Sequence, residues 1–319
     1  MNSKLRNKSD AGEIRGRVLS GLAGNRSPGF HFPGYFLQLD WPRIGEDSID
    51  ETMPAGPHCR DADGNINIAV LGMVLDTALA TAPRLKIAPG ARQATVQLNA
   101  QFTGHPARGD LMMTSKLTGF TAGTAVRQSL ASGTLFSAGK PVCHAHATFV
   151  MLPTPAGVTL APLPWQRESG VPGTPLKLTD LEPDERAVMR ACNSALRRAD
   201  HRRTFIEHFW SVLPEATNYG ARCTVKNGPH LGNRVGHVQG GILLGLAAAT
   251  AKAATPKHPA LSGISAWFIS PGKGKTLRIR STVLHAGRSF AVVRTEIRTA
   301  DGSRVLETVS NHAAQKSGD

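Results

Sequence analysis

Aromatic side chains make up 5% of the 319 residues, and only two of them are tyrosines. No stacking platform or reader motif for bases is visible, which argues against nucleic acid as the partner. The four cysteines, at positions 59, 143, 192 and 223, are scattered without a C-x-x-C spacing. That excludes a zinc ribbon or a disulfide framework and fits reduced thiols in a cytoplasm. An apolar run of the length that spans a bilayer, about 20 residues, is missing, so no transmembrane helix is expected. The N-terminus lacks an apolar signal core. Residues 1–29 are polar and basic and read as a flexible tail, although a transit peptide would share that character. No G-x-S-x-G elbow occurs, which disfavours the α/β-hydrolase route to ester cleavage. From Ala216 to Thr295 there is no acidic residue, against eleven bases.

What is present is a chain of 40% hydrophobic and 19% charged residues with a formal net charge of +14. That composition suits globular domains, and the length allows two. The acid-free basic stretch implies a polyanionic partner: a nucleotide-bearing molecule, a nucleic acid or an acidic carrier protein. A plain solvated basic face would show the same composition.

Alternation and turn residues divide the chain into two similar halves. Gly34–Arg43 and Gly45–Met53 read as strands, then Ile68–Ala82 as a buried helix closed near Pro83. Strand-like segments follow at 92–102, 111–120, 125–137 and 141–152. In the first of these, Val96, Leu98, Ala100 and Phe102 fall on one face and Thr95, Gln97, Asn99 and Gln101 on the other. Six prolines between 153 and 175 mark a linker or surface strap. After an amphipathic helix over 184–198 the pattern recurs. Strands are expected at 204–213 and 216–226, a buried helix at 238–254, and strands at 264–270, 276–285, 290–299 and 304–315. This order predicts an α+β protein: a flexible tail (1–29), a first domain (30–151), a Pro-rich linker (152–180) and a second domain (181–319). Each domain is a long buried helix wrapped by an antiparallel sheet, and the two pack as a pseudo-twofold dimer.

The second helix begins with Gly240-Gly241 and is apolar all round, which marks it as buried. Two glycines there cost helix stability. They admit either a ligand atom close to the free N–H groups, favoured by the helix dipole, or a tightly packed neighbour. In the first helix one carboxylate, Asp76, interrupts the apolar run, and an unpaired buried carboxylate is costly.

Asn233-x-x-Gly236-x-x-Gln239-Gly240-Gly241, with the apolar helix and strand series behind it, resembles the hotdog-fold thioesterases of the phenylacetate-pathway type. Their signature is N-x-x-G-x-x-H-G-G, an acid nine residues after the His, and a Ser or Thr early in the next strand. The first half matches the later part, with Asp76, Thr95 and the final strand HAHATF. The resemblance covers roughly residues 30–151 and 200–315. It departs in a complementary way. The first half holds Asp61 and Asn67-Ile68-Ala69 at the positions of the lead-in Asn and H-G-G. The second half has Gln239 for the His and Ala248 for the acid.

The resemblance implies a tandem double hotdog, with one composite site built from Asn233, Gln239 and Gly240 of the second half and Asp76 and Thr95 of the first. The mirror site would be dead. It further implies acyl-CoA hydrolysis. The Gly240 N–H would receive the oxyanion, Asp76 would act as general base or nucleophile, and Gln239 and Asn233 would hold the carbonyl or a water that Thr95 orients. Asp76 could instead be a structural cap, and Asn233 could merely shape its turn. Coenzyme A enters as part of the substrate, with no other cofactor. Its phosphates would meet Gly241 and the cluster Arg222, Lys273, Lys275, Arg278 and Arg280. A non-catalytic acyl-CoA-binding protein is the alternative, and assembly of pseudodimers into a homo-oligomer stays open. His144 and His146 share a strand face without a third ligand nearby, so no metal is expected. GNRVGH at 232–237 faintly resembles the hydratase signature of other hotdog proteins but lacks its Asp and its Asn-Pro pair.

Overall fold

The computed structural model describes residues 3–87, 91–124, 126–153, 161–166 and 174–314. Each half opens with a helical pair: α1 (Ser3–Asn25) and α2 (Phe32–Leu37) in the first, α4 (Pro183–Arg198) and α5 (Phe205–Phe209) in the second. A hairpin follows in each, β1 (Asp40–Ile44) with β2 (Ser48–Met53), and β7 (Glu215–Thr217) with β8 (Gly220–Lys226). The long buried helices come next, α3 (Ile68–Arg84) and α6 (Gly240–Ala254). Four strands complete the first half: β3 (Arg92–Phe102), β4 (Leu111–Phe120), β5 (Gln128–Ser137) and β6 (Lys140–Leu152). Their counterparts are β9 (Ala260–Phe268), β10 (Thr276–Ala286), β11 (Phe290–Thr299) and β12 (Arg304–Ala313).

All twelve strands join one antiparallel sheet in the order β1-β2-β4-β5-β6-β3-β9-β12-β11-β10-β8-β7. The order reads the same from either end once equivalent strands are matched. Its centre is the β3–β9 seam, where Gln97 pairs with Trp267 and Gln101 with Gly263. Along β10, buried Leu277 and Ile279 alternate with exposed Arg278 and Arg280, so one face of the sheet covers the helices and the other meets solvent.

Against that sheet α3 and α6 lie side by side, and small residues let their backbones touch. A Cβ on Gly72 would fall 2.3 Å from the Gly241 carbonyl oxygen, and one on Gly245 would fall 2.2 Å from the Ala69 Cα. Any larger side chain at these positions would wedge the helices apart.

Three sequence expectations are corrected. Residues 3–25 form a helix and not a flexible tail: Ile14, Val18 and Leu22, spaced one turn apart, are buried in the core. Charge had masked a narrow apolar stripe. The segments at 34–43 and 204–213 are not continuous strands. Each overlaps a short helix whose two phenylalanines, Phe32/Phe36 and Phe205/Phe209, pack together across the halves, with Phe36 and Phe209 ring centroids 5.5 Å apart. A Thr204–Glu207 capping box starts the second of these helices. The repeat therefore extends further toward the N-terminus than sequence alternation indicated. Arg26 joins the two helical pairs through a bidentate bond to Glu185, with both contacts at 2.7 Å.

Of the Pro-rich strap, residues 154–160 and 167–173 lie outside the described residues, as does Ala125 at the expected start of the third strand. The described part rests on the first hairpin, with Trp165 against Trp41 at 4.5 Å between ring centroids.

Candidate active site

Two turns with the same hydrogen-bond pattern lead into α3 and α6. Asp61 and Asn233 sit at corresponding positions. The side-chain oxygen of each accepts two backbone N–H bonds, from Asp63 and Asn65 in one turn and from Val235 and His237 in the other. Gly64 and Gly236 both take φ +77°, a left-handed conformation that favours glycine. Asn233 is thus occupied in shaping its turn, and the structure does not bring its side chain to Asp76.

The turns deliver Asn67 and Gln239 as helix N-caps, with φ/ψ of −59/140° and −63/138°. Here the halves diverge. The Asn67 amide oxygen accepts from the Ala69 N–H at 2.9 Å. Gln239, one methylene longer, accepts from the Ile242 N–H at 2.9 Å and turns its Nε2 toward the other half, where it donates to Asp76 Oδ2 at 2.8 Å. Thr95 Oγ1 donates to Asp76 Oδ1 at 2.7 Å, and the Gly241 N–H also bonds the carboxylate. Asp76, Thr95, Gln239 and the start of α6 are therefore one constellation spanning both halves.

Thr95 reaches inward because of a β-bulge. The β3–β6 register slips by one residue between Thr95 and Gln97, so Thr95 opposes buried Phe149 while Gln97 opposes Thr148. Simple alternation put Thr95 on the face of Gln97. The extra residue, Val96, reverses that.

The two glycines at the helix start have separate reasons. Gly241 is a packing glycine, since a Cβ there would lie 2.1 Å from the Gly72 carbonyl oxygen. Gly240 faces the acid: its Cβ would lie 3.0 Å from Asp76 Oδ2 and 3.3 Å from Phe268 Cε1. The Ile242 and Leu243 N–H groups are capped by Gln239, and that of Gly241 is turned to Asp76. Among the described residues no acceptor meets the Gly240 N–H. It is the first-turn donor left for an incoming oxygen.

Asp76 is 6% exposed, and burial raises its pKa above the ordinary carboxylate value, while Thr95, Gln239 and Gly241 pull the other way. At the mirror position Ile68 and Ala248 line an apolar cleft with Leu244, Phe102 and Ile264. It holds no carboxylate.

The basic cluster is dispersed. Arg278 and Arg280 project from the solvent face of β10, and Arg222, exposed on β8, pairs with Glu215 at 3.0 Å. These three lie on the sheet face turned away from α6, because strand alternation commits them there. Lys273 and Lys275 belong to the loop whose Gly272 carbonyl accepts the Val238 N–H, next to Gln239. Burial, and after it the charges of Lys273 and Arg92, depress the pKa of His237. Arg92, Arg84 and Arg234 escaped the sequence reading: Arg92 and Arg84 lie outside the acid-free stretch, and Arg234 lies within it but apart from the expected cluster. Burial and the charge of Arg234 lower the Arg84 guanidinium to about 10. Glu51 was also missed. It is a fully buried acid on β2, bonded to Thr77 and Trp41. Its alternation with Ile49 and Met53 would have marked the following residue, not Glu51, as outward; only the buried Trp41 and Thr77 explain why an acid is tolerated inside. His144 sits on the exposed face and contacts Thr134 at 3.0 Å. No grouping of metal-ligating side chains occurs among the described residues. Nor is any helix among them long and apolar enough to cross a membrane.

Comparison with known proteins adds a fold and a partial likeness to one family. Residues 230–312 match the model of the acyl-CoA thioesterase N-terminal domain. No curated protein matches the chain. Among solved structures, a protein designated an oleoyl thioesterase from Lactobacillus plantarum aligns with a TM-score of 0.54 at 11% identity, over 84% of this chain and 95% of that one. A conserved protein with a hot dog fold from Alicyclobacillus acidocaldarius gives a TM-score of 0.51 at 11% identity, over 88% and 97%. A protein designated a thioesterase II from Thermobifida fusca gives 0.50 at 15% identity, over 87% and 96%. At such identities the likeness speaks for the fold. The chain is a double hotdog, and its second half is similar to the acyl-CoA thioesterase N-terminal domain family.

Proposed function

We propose that the protein is an acyl-CoA thioesterase with one composite site, in which Asp76 activates water and the Gly240 N–H receives the thioester carbonyl oxygen. The observation that carries this reading is the Gln239–Asp76 hydrogen bond, which sets the acid of one half beside the free helix-start donor of the other. Within the hotdog thioesterases, N-x-x-G-x-x-Q-G-G favours the phenylacetate-pathway type. The matched family model is of another description, and it is the second half alone that it covers.

Water attacks the carbonyl carbon and passes its proton to Asp76. The carbonyl π electrons move to oxygen, opposite the Gly240 N–H and the positive end of α6. Collapse expels the CoA thiolate, which takes the proton from Asp76. Thr95 and Gln239 hold the carboxylate so that little rearrangement is needed. Both Asp76 oxygens already accept hydrogen bonds and the side chain is almost fully buried, which favours proton transfer over direct attack on a carbon. In this reading Lys273 and Arg92, whose charges both reach His237, meet the phosphates of coenzyme A, and the reaction calls on no further cofactor.

Thiol release from a panel of short, long and aromatic acyl-CoAs tests the activity. Single-turnover hydrolysis in ¹⁸O water tests the role of Asp76. Label in the first acid released supports the base. Unlabelled acid in the first turnover, with label entering the protein, would instead identify Asp76 as nucleophile. Stoichiometric binding of CoA esters without turnover would replace hydrolysis by a binding function.

A further inference from the structure

The proposed chemistry leaves one buried acid unused. Glu51 is 0% exposed, and among the described residues no cation pairs with it. Its Oε2 accepts from Trp41 Nε1 at 3.1 Å, and its Oε1 lies 2.6 Å from Thr77 Oγ1. Thr77 follows Asp76 directly on α3, and its Oγ1 also lies 2.8 Å from the Met73 carbonyl oxygen.

A threonine hydroxyl carries one hydrogen and two acceptor lone pairs. The Met73 carbonyl already accepts the Thr77 N–H of the helix ladder, so the hydroxyl hydrogen can serve either oxygen. An ionised Glu51, however, would be a fully buried charge held by two hydrogen bonds and, among the described residues, no cation, which is costly. If Glu51 bears a proton, every group is satisfied. Glu51 donates to Thr77, Thr77 donates to Met73, and Trp41 donates to the other carboxyl oxygen. We propose that Glu51 is a positioning residue that carries a proton at neutral pH and, through Thr77, fixes the turn of α3 that presents Asp76. The positioning half of this inference rests on the thioesterase reading, and the protonation half does not.

Burial pushes the Glu51 carboxyl up to about 8, and the charge on Asp76 adds to the rise. The other elements around it contribute no countercharge. Arg43 on β1 is held by Asp50 at 2.6 Å, and Lys116 on β4 pairs with Asp47 at 3.5 Å. From the loop that carries Asp47, Glu46 pairs with Lys86 at 2.8 Å. Of the two acids, Asp76 is the better placed to carry a negative charge, because Thr95 and Gln239 both donate to it. Above about pH 8 the loss of the Glu51 proton draws the Thr77 hydroxyl away from Met73 and sets a second negative charge near the base.

The decisive variant is Glu51→Gln, because an amide reproduces the neutral acid: Nε2 donates to Thr77, Oε1 accepts from Trp41, and neither titrates. Thiol release is measured from pH 6 to 10 for the wild type, Glu51→Gln and Glu51→Ala. The wild type is expected to decline above about pH 8 and Glu51→Gln to hold kcat at pH 7 within about twofold without that decline. Glu51→Ala is expected to lose about tenfold in kcat with little change in KM. A Glu51→Gln profile that declines like the wild type, or that matches Glu51→Ala at pH 7, would overturn the proposal. Urea unfolding of the wild type and Glu51→Gln from pH 5 to 9 gives a readout independent of activity. A raised native pKa means the folded state binds more protons than the unfolded one between 4.5 and about 8. Wild-type stability therefore falls relative to Glu51→Gln across that window and levels off above it. A constant difference would show that Glu51 is ionised throughout. A wild type that hydrolyses no ester while the unfolding curves diverge with pH would reject the thioesterase reading and the positioning role, leaving the buried proton established.

Discussion

Gln239 donates to Asp76 at 2.8 Å across 163 residues of sequence, while the other end of the same amide caps α6 through Ile242 at 2.9 Å. One side chain thereby orders a helix and aligns an acid from the opposite half. Replacing Gln239 by Ala removes both contacts. Helix capping and the lost hydrogen bond predict about 1–2 kcal/mol of destabilisation by urea unfolding, together with a lower kcat. A loss of stability with unaltered kcat would show that the link to Asp76 has no catalytic consequence.

Asp76→Asn is expected to lower kcat by about 10²–10⁴, the range for a missing general base, with little effect on KM. Stability should hold or improve, because a buried charge is replaced by a neutral isostere. Parallel kinetics and thermal melts on one preparation separate the two effects.

The pKa of Asp76 is raised by burial, so activity and stability should respond oppositely to acid. The base must be ionised, and activity therefore rises with pH through the folded pKa. The folded protein holds the Asp76 proton more tightly than the unfolded chain, whose value is 3.8, so the contribution of this residue to stability falls as pH rises over the same window. The acid limb of kcat/KM checks the first statement, and the wild-type minus Asp76→Asn unfolding difference checks the second.

Gly245→Ala would place a Cβ 2.2 Å from the Ala69 Cα, and Gly72→Ala would place one 2.3 Å from the Gly241 carbonyl oxygen. Both contacts involve backbone, which cannot swing aside. Each variant should be destabilised by at least about 1–3 kcal/mol, the usual scale for overpacking. Activity should fall as well, since the same helix contact sets the distance from Asp76 to the start of α6.

Ala248→Asp would install an acid at the mirror position. The site there is an apolar cleft whose helix begins with Ile68 and whose cap, Asn67, is spent on Ala69. The new carboxylate would find no donors. A cost of about 1–3 kcal/mol or more is expected at neutral pH, easing as acid neutralises the group, with no gain in turnover.

How much of this was legible differs from residue to residue. Asp76 stood out as a lone charge in an apolar helix, and Gln239 by its place before the paired glycines. Their meeting was inferred from complementary losses in the two halves; the structure sets the two side chains 2.8 Å apart. Thr95 was picked for its position early in its strand, yet alternation gave it the wrong face, because a one-residue bulge leaves no mark on hydrophobic periodicity. Asn233 matched the signature but serves its own turn. Arg222, Arg278 and Arg280 formed a cluster in sequence and not around the site, since strand alternation turned them outward. The N-terminal helix was hidden because three apolar residues one turn apart are a weak signal amid lysines and arginines. Alternation with Ile49 and Met53 puts Glu51 on the inward face of its strand, but the partners that make its burial tolerable, Trp41 and Thr77, lie outside that strand.

The β3–β9 seam and the crossing of α3 with α6 lie within one polypeptide. Between separate subunits, a contact such as Gln239 with Asp76 would dissolve on dilution as the partners parted. Here a tether fixes the local concentration of one half around the other, typically at millimolar levels for a short connection. Formation of the constellation is consequently a first-order event, set by folding alone and indifferent to how much protein is present. The same covalent link allows the two halves to drift apart in sequence, for a change made in one is never imposed on the other.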